Sequence, residues 1–359
     1  MKLSIIVPVY NVKNYIRECL DSIKIAMTDF VRQVEVIVIN DGSTDGSRQI
    51  VDEYLAGESF TIIHQVNSGV AAARNTGMSL ATGDWLWFVD SDDWVTDGSV
   101  RKIIESIDAC HDAEMLLFDA YEDRKGKSVL WEHFSEDIVW NRSADIFALW
   151  KGVLYFPLCI NHLGKTARSL AAPWDKIYSC KFLKDNDIYF REDLKVLDDM
   201  VFNMEVCGAA RHIEYVKYPI YHYRILQGSI SHGFKPERLW MDLKVWGFID
   251  QYIEAFNSVR NTTGIWNISE MQQALYLRVV KSYGICCTQL FFNRNNKSDF
   301  RNKISCAKDA LSIPIYREAF QKSDLCAAEI KLKPLILFGR WRFGMGIWLL
   351  SLLQTLSCK

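Results

Sequence analysis

The first 120 residues alternate between short apolar runs and stretches of helical spacing. Leu3–Val9 is almost continuously apolar, which predicts a strand buried on both faces. Residues 12–27 show a helical pattern, and 34–39 (Val-Glu-Val-Ile-Val-Ile) predicts a second strand. Asp41-Gly42-Ser43-Thr44-Asp45-Gly46-Ser47 is a turn rich in helix N-cap residues, with a helix expected from it to about residue 55. A third strand is expected over 60–64, a helix over 70–81 directly after Gly69, and a fourth strand over 85–89 that runs into Asp90-Ser91-Asp92-Asp93. A helix over 99–110 and a strand over 114–119 follow.

Strand and helix in this alternation predict an α/β fold with a mainly parallel sheet covered on both faces. Such sheets bind ligands outside the carboxyl ends of their strands. Asn11, Asp41 and Asp90 all lie just past expected strand ends, so one crevice can collect them. Residues 120–235 are less regular, and from about Pro236 the pattern turns mainly helical, over roughly 237–258, 268–292 and 300–311. The organisation expected is therefore a domain over 1–235, with a regular half at 1–120 and a less regular half at 121–235, followed by a helical region over 236–359.

Composition narrows this only slightly. The chain is 49% apolar and 24% charged, which is ordinary for a folded soluble domain. A net charge of -2 gives no electrostatic case for nucleic acid as a partner. The ten cysteines form no C-x-x-C pair and no zinc spacing, so reduced thiols packed as small apolar residues are expected. The first apolar run is too short for a signal peptide and is broken by Pro8, Asn11 and Lys13, which with the thiols points to a cytoplasmic chain. No 18-residue uncharged apolar stretch indicates a transmembrane helix. Residues 331–359, however, contain Lys331, Lys333, Arg340, Arg342 and Lys359 with no acidic residue, beside Trp341, Phe343 and the apolar run 347–353. That tail is expected either to lie peripherally on the inner face of the plasma membrane, with Trp341, Phe343, Trp348 and Leu349 in the interface, or to pack as a terminal helix.

The chemistry concentrates in a few motifs. Three carboxylates within Asp90-Ser91-Asp92-Asp93, directly after a buried strand, repel one another unless a divalent cation sits among them. Mg²⁺ or Mn²⁺, held by one or two carboxylates and substrate phosphates, would neutralise a diphosphate leaving group. The bland alternative is a loop of caps and solvated acids. Asp41 in Asn40-Asp41-Gly42-Ser43 either accepts a hydrogen bond from a nucleobase N–H or belongs to an ordinary Asp-Gly turn. Asp45 and Ser47 cap the following helix in both cases. In Ala71-Ala72-Ala73-Arg74-Asn75-Thr76-Gly77 the small residues let a helix approach the sheet, and Arg74 either binds phosphate or a base edge or makes a structural salt bridge.

Pro8-Val9-Tyr10-Asn11, Asn40-Asp41-Gly42-Ser43-Thr44-Asp45, Ala73-Arg74-Asn75-Thr76-Gly77 and Asp90-Ser91-Asp92-Asp93 occur in this order at fitting spacings. Together they resemble the family 2 inverting glycosyltransferases, which have the GT-A fold, and in particular bacterial O-antigen and capsular polysaccharide enzymes. The resemblance is close over 1–120, looser to 235 and absent beyond. It implies that Pro8, Tyr10 and Asp41 hold the nucleotide, usually uridine, with Arg74 near the base or diphosphate. It also implies Asp90 on the ribose side and Asp92 on Mn²⁺ or Mg²⁺. The family's catalytic base lies in a later acidic pair opening a helix. Here that pair is Asp198-Asp199, with Asp199 preferred, Asp198 the alternative and Glu192-Asp193 a weaker rival. Asp198 stands where a glutamate is commoner. The alternative for the pair is simple complementation of a helix dipole. Trp174, Arg224, His222 and Ser229 also resemble later family elements: Trp174 as a sugar-stacking or core residue, Arg224 at the diphosphate, and His222 as a metal ligand or a satisfied structural histidine.

The function implied is inverting, metal-dependent transfer of a single hexose or N-acetylhexosamine from a UDP-sugar to a saccharide hydroxyl in bacterial surface polysaccharide biosynthesis. An undecaprenyl-diphosphate-linked saccharide is among the candidate acceptors. Processive members carry Gln-x-x-Arg-Trp and transmembrane helices; here Arg340-Trp341 follows Phe338-Gly339. The rivals are a nucleotidyltransferase acting on sugar phosphates, which would need a Gly-rich N-terminal phosphate loop, and a non-catalytic sugar-binding or scaffold protein, which would need neither metal acids nor a base.

Overall fold

A computed structural model describes residues 3–54, 60–110, 112–158, 169–225, 233–259 and 266–357. Ser229 lies outside them. The chain divides into two compact units: Met1–Trp150 with Asn161–Leu226, and Lys151–Ile160 with Gln227–Lys359.

The first unit is built on a ten-stranded sheet. Its strands are β1 (Leu3–Val9), β2 (Val34–Asp41), β3 (Phe60–Gln65), β4 (Trp85–Phe88), β5 (Trp94–Val95), β6 (Met115–Arg124), β7 (Lys127–Trp131), β8 (Ile138–Trp140), β9 (Lys176–Ser179) and β10 (Ile213–Arg224). The helices of the chain are α1 (Ile16–Ala26), α2 (Ser47–Asp52), α3 (Val70–Leu80), α4 (Ser99–Ala109), α5 (Ser143–Leu154), α6 (Cys180–Asp185) and α7 (Asp198–Ala209). They continue with α8 (Arg238–Val259), α9 (Ile268–Cys286), α10 (Phe300–Ala310), α11 (Pro314–Lys322), α12 (Lys333–Arg340) and α13 (Gly344–Ser357).

The strand order is β3-β2-β1-β4-β9-β6-β10-β5, with β7 paired to β6 and β8 to β10. The expected parallel ladder holds from β3 through β2 and β1 to β4. Beyond β4 the sheet is mixed: β9 inserts antiparallel between β4 and β6, while β10 returns parallel to β6. The region that looked irregular in sequence therefore supplies four of the ten strands, β7 to β10, because β8, β9 and β10 pair with distant partners and lack a local helical crossover.

Every residue of β1 is buried, as its uninterrupted apolar sequence requires. The chain departs from β1 toward β2 on one side and β4 lies on the other, so the β1/β4 boundary is the sheet's switch point. Pro8 sits there for a physical reason. The Leu3 N–H points to the β2 side, toward Gln33 O, and alternation sends the Pro8 nitrogen to the β4 side. Pairing with β4 ends at Ile6–Phe88, so no ladder bond is lost where proline has no N–H to give. The strands part at this point and leave an opening.

Helix α3 packs on β1 and β2. Ala73 is fully buried against Ile37 and Ile39, and a Cβ on Gly77 would stand 2.4 Å from Ile6 Cγ2. Close approach of α3 is thus written in its small residues, and it lowers Arg74 into the crevice. The second unit is helical, and a π turn at Cys287–Phe291 extends α9 beyond its last α-helical residue. Cys19, Cys207, Cys286 and Cys287 are buried, and the described cysteines are free thiols. No helix among the described residues is long and apolar enough to cross a membrane.

Candidate active site

The loops after β1 and β2 are stitched together by short polar side chains. The Asn11 N–H donates to Ser43 Oγ (3.1 Å), Thr44 N–H to Asn11 Oδ1 (2.8 Å), Val12 N–H to Ser47 Oγ (2.9 Å) and Lys13 N–H to Asp45 Oδ2 (3.0 Å). Asp45 also accepts from the Ser47 N–H at 2.9 Å, and these bonds hold its carboxyl below the usual range against the cost of burial; the N-cap of α2 is Gly46, without a side-chain cap, so the capping expected of Asp45 and Ser47 is not made. Asn11 takes a left-handed backbone, φ 52°, which asparagine tolerates well. Pro8 is buried and Tyr10 is half exposed at the crevice.

Asp41 is buried and accepts from Gln65 Nε2, Ser68 N–H and Gly69 N–H, each at 2.8 Å. It thereby clamps the loop that leads into α3. Gly42 makes this possible. Its φ is +72°, and a Cβ there would meet Asn67 N at 2.8 Å, so no other residue lets the two loops close so tightly. Capacity for a further donor, such as a base N–H, remains on Oδ2, which has one partner to Oδ1's two.

Arg74 is the hub. It is 3% exposed, donates to Asp90 Oδ1 from Nη2 at 2.8 Å, and from Nη1 reaches Asp198 Oδ2 at 3.5 Å and Asp199 Oδ1 in a short ion pair. Its guanidinium also lies over the Phe190 ring, 4.9 Å from the centroid. Three surrounding carboxylates raise the Arg74 pKa against a desolvation that lowers it, so the group is a permanent cation. Asp198 and Asp199 occupy the first turn of α7, where the dipole favours negative charge. The residue before them, Leu197, has φ 58°, a left-handed conformation costly for a branched side chain and found where surrounding structure demands it. Withdrawal from solvent holds both carboxyls above their ordinary range, opposed by Arg74 and reinforced by Asp90.

The Asp90-Ser91-Asp92-Asp93 run separates its acids. Asp93 is buried, accepting from Tyr221 Oη (2.8 Å) and the Arg224 N–H (2.7 Å). Tyr221 Oη in turn accepts the Asp90 N–H at 3.0 Å, so β10 braces the loop after β4. Asp92 differs. Its carbonyl accepts from Arg224 Nε at 2.8 Å, but its carboxylate has no side-chain hydrogen bond or ion pair among the described residues. Burial, then Asp90, push its carboxyl up to about 6, with Arg224 acting the other way.

The remaining candidates already have partners in the fold. Arg224 donates to Glu18 Oε2 (2.6 Å) and stacks over Trp94 and Tyr15, so its head is already engaged. Trp174 is 5% exposed, with its ring parallel to both Tyr221 and Tyr223 at 11°, which places it in the core. His222 lies between the Trp94 and Tyr121 rings with Nδ1 2.9 Å from Asp123 Oδ2, the position of a satisfied histidine. Glu192 is exposed and accepts from Asn75 Nδ2 at 3.0 Å. Sequence reasoning passed over Glu18, Gln65 and Phe190 and gave Tyr221 no role of its own, because these residues meet their partners only across long stretches of chain.

A divalent cation is implied by the acidic run. Among the described residues, no three His, Cys, Asp or Glu side chains gather as a cage. One free carboxylate beside a second acid does fit a cation that takes its other ligands from a bound diphosphate.

Strand order and the switch-point crevice together define a GT-A sheet, with three acids gathered around a buried arginine. Residues 4–160 match the family model of Glycosyl transferase family 2, so this part of the chain is a domain of that family. The chain is 30% identical over 262 residues to Glycosyltransferase GlyA of Streptococcus pneumoniae serotype 4, an alignment covering 72% of this chain but 35% of GlyA. To EpsH of Bacillus subtilis it is 25% identical over 348 residues, covering 95% of this chain and 92% of EpsH. The fold matches that of Staphylococcus aureus TarS 1–349 solved with UDP-GlcNAc, with a TM-score of 0.65 at 24% identity over 99% of this chain and 92% of that one.

Proposed function

We propose that the protein is an inverting, metal-dependent glycosyltransferase. It moves one hexose or N-acetylhexosamine from a UDP-sugar to a hydroxyl of a lipid-linked saccharide during bacterial surface polysaccharide synthesis. The observation that carries this reading is the convergence on Arg74 of Asp90 with Asp198 and Asp199, more than a hundred residues later in the chain. A donor-side acid and a base candidate stand within reach of one guanidinium. A nucleotidyltransferase has no need of the second pair, and a binding module needs neither. The similarity to GlyA supports glycosyl transfer, and the UDP-GlcNAc bound by TarS 1–349, which shares the fold, motivates the choice of donor class.

In this reading Pro8 and Tyr10 flank the nucleotide, Asp41 accepts the base N–H, and Asp90 faces the ribose. Asp92 holds Mn²⁺ or Mg²⁺, which when bound neutralises charge on the departing diphosphate. Asp199 takes the proton of the acceptor hydroxyl as its oxygen attacks the anomeric carbon opposite the leaving group. Partial burial and the neighbouring Asp198 and Asp90, opposed by Arg74, make Asp199 a stronger base than a free surface carboxylate, and Arg74 keeps it in place. The working division of the chain is a catalytic 1–235 and a helical 236–359, with the enzyme in the cytoplasm and its 331–359 segment against the membrane.

The test is UDP release from UDP-Glc, UDP-Gal, UDP-GlcNAc and UDP-GalNAc with and without Mn²⁺, for the native protein and Asp92→Ala. Metal-stimulated UDP release, nearly abolished by the substitution with the melting temperature little changed, is expected. Pyrophosphate release, or a fully active Asp92→Ala, overturns the reading.

A further inference from the structure

The outer stripe of α13 is apolar where a surface helix is normally polar. Met345, Leu349, Leu352 and Leu353 follow i, i+4, i+7, i+8 spacing and are exposed, while Ile347 and Ser351 on the opposite side are buried. Just before the helix, a turn closed by Phe343 N–H to Phe338 O and Arg342 N–H to Gly339 O holds Trp341 outward, 72% exposed, and Phe343 half exposed. Beside that turn is a cavity of about 470 Å³ lined by Arg301, Ser305, Lys308, Asp309, Trp341 and Arg342. Arg342 donates to Lys308 O at 3.0 Å, which ties the turn to α10, and Ser305 Oγ donates to Asp309 Oδ2 at 3.3 Å. Three cations and one carboxylate thus surround a pocket with an indole edge, next to a helix stripe of leucines.

We infer that this pocket is a site for the phosphate of an anionic phospholipid headgroup, with the Met345 to Leu353 stripe entering the acyl boundary beside it. This deepens, and rests on, the membrane placement of the 331–359 segment, and it changes which residues carry it. Arg340 is not a headgroup ligand: it donates to Phe320 O (2.8 Å) and Ser323 O (2.5 Å) inside the helical unit. Trp348 packs edge-on against Phe300. The headgroup contacts move to Arg301 and Lys308 of α10 together with Arg342. Charge selects the occupant. Two copies of this chain meeting at the stripe would bring like cation clusters together, whereas an anionic leaflet meets leucines and cations at once.

The experiment is flotation of the full chain with phosphatidylcholine vesicles and with vesicles containing 30 mol% phosphatidylglycerol, with and without excess inorganic phosphate. It compares the native protein, the triple variant Arg301→Gln, Lys308→Gln, Arg342→Gln, and the double variant Leu349→Ser, Leu353→Ser. Melting curves and light scattering control for fold and self-association. The expected result is native binding to anionic vesicles only, weakened on the order of a hundredfold by the triple variant. The double variant also loses binding, and free phosphate does not compete. Equal binding to neutral vesicles, or a triple variant that binds like the native protein, overturns the headgroup site while leaving membrane placement standing. No flotation at all removes both. Loss of anionic binding in excess phosphate assigns the pocket to free phosphate, and a dimer that dissociates in the double variant assigns the stripe to a second copy. Each of these two results overturns the proposal.

Discussion

After β4, Asp90, Asp92 and Asp93 lie close together in sequence but point their carboxylates in three directions, whereas Asp198 and Asp199 at the start of α7 share one partner. Asp93 is spent on Tyr221 and the Arg224 N–H, Asp90 on Arg74, and Asp92 is left open. In the helix pair both acids turn to Arg74, Asp199 closest. The difference lies in what each run must do physically. An irregular loop leaving a strand changes side-chain direction at each residue, so it can brace the sheet with one acid and present another. A helix's first turn gathers its acids at the positive end of the dipole, where one arginine can hold both and leave them coupled.

The comparison breaks first at Asp199. Asp199→Asn is expected to lower kcat/KM by about 10²–10⁴-fold, the range of a lost general base, while Asp198→Asn lowers it far less. A larger loss for Asp198→Asn in a UDP-release assay would exchange their roles. The shared partner comes next. Among the described residues Arg74 is the one side chain that pairs with all three acids, and Arg74→Met should show a loss of roughly 3 kcal/mol in urea unfolding. That is the lower end for a broken buried pair, because the Asp199 side chain keeps 39% of its surface open to water. A loss below about 1 kcal/mol would mean that the acids find other partners. The smallest effect is in the pH profile. As the proposed base, Asp199 has to be deprotonated, and its folded pKa is raised, so activity is expected to be full above that pKa and lost as pH falls through it. The acid limb of kcat/KM should therefore have its midpoint above the ordinary aspartate value of about 4. A midpoint at or below 4 would show that Arg74 outweighs burial.

These outcomes bear on how far the chain could be read in advance. The expected strand at 34–39 and helix at 70–81 correspond to β2 and α3 almost residue for residue, because a doubly buried strand and a helix of small residues each have a periodic, local signature. Helices expected over 237–258 and 300–311 match α8 and α10 for the same reason. α5 and α6 carried no expectation, and α11, α12 and α13 only the general one of a helical region with a terminal helix, because their apolar positions only make sense against the neighbours they meet in the fold.

By itself, the sequence determined the four parallel strands β1 to β4, the close-packed α3, and the grouping of acids after β4 and at the start of α7. Backbone propensity, capping and side-chain size act over a few residues and leave their marks there. Only the tertiary structure decided that Arg74 joins Asp90 to Asp198 and Asp199, that Asp92 alone of its run stays open, and that Trp174, Arg224 and His222 are built into the packing around β10. Each of those outcomes depends on which of several equally suitable partners a charge or ring meets. That choice is made by strands that pair across a hundred residues, with no local pattern to announce it.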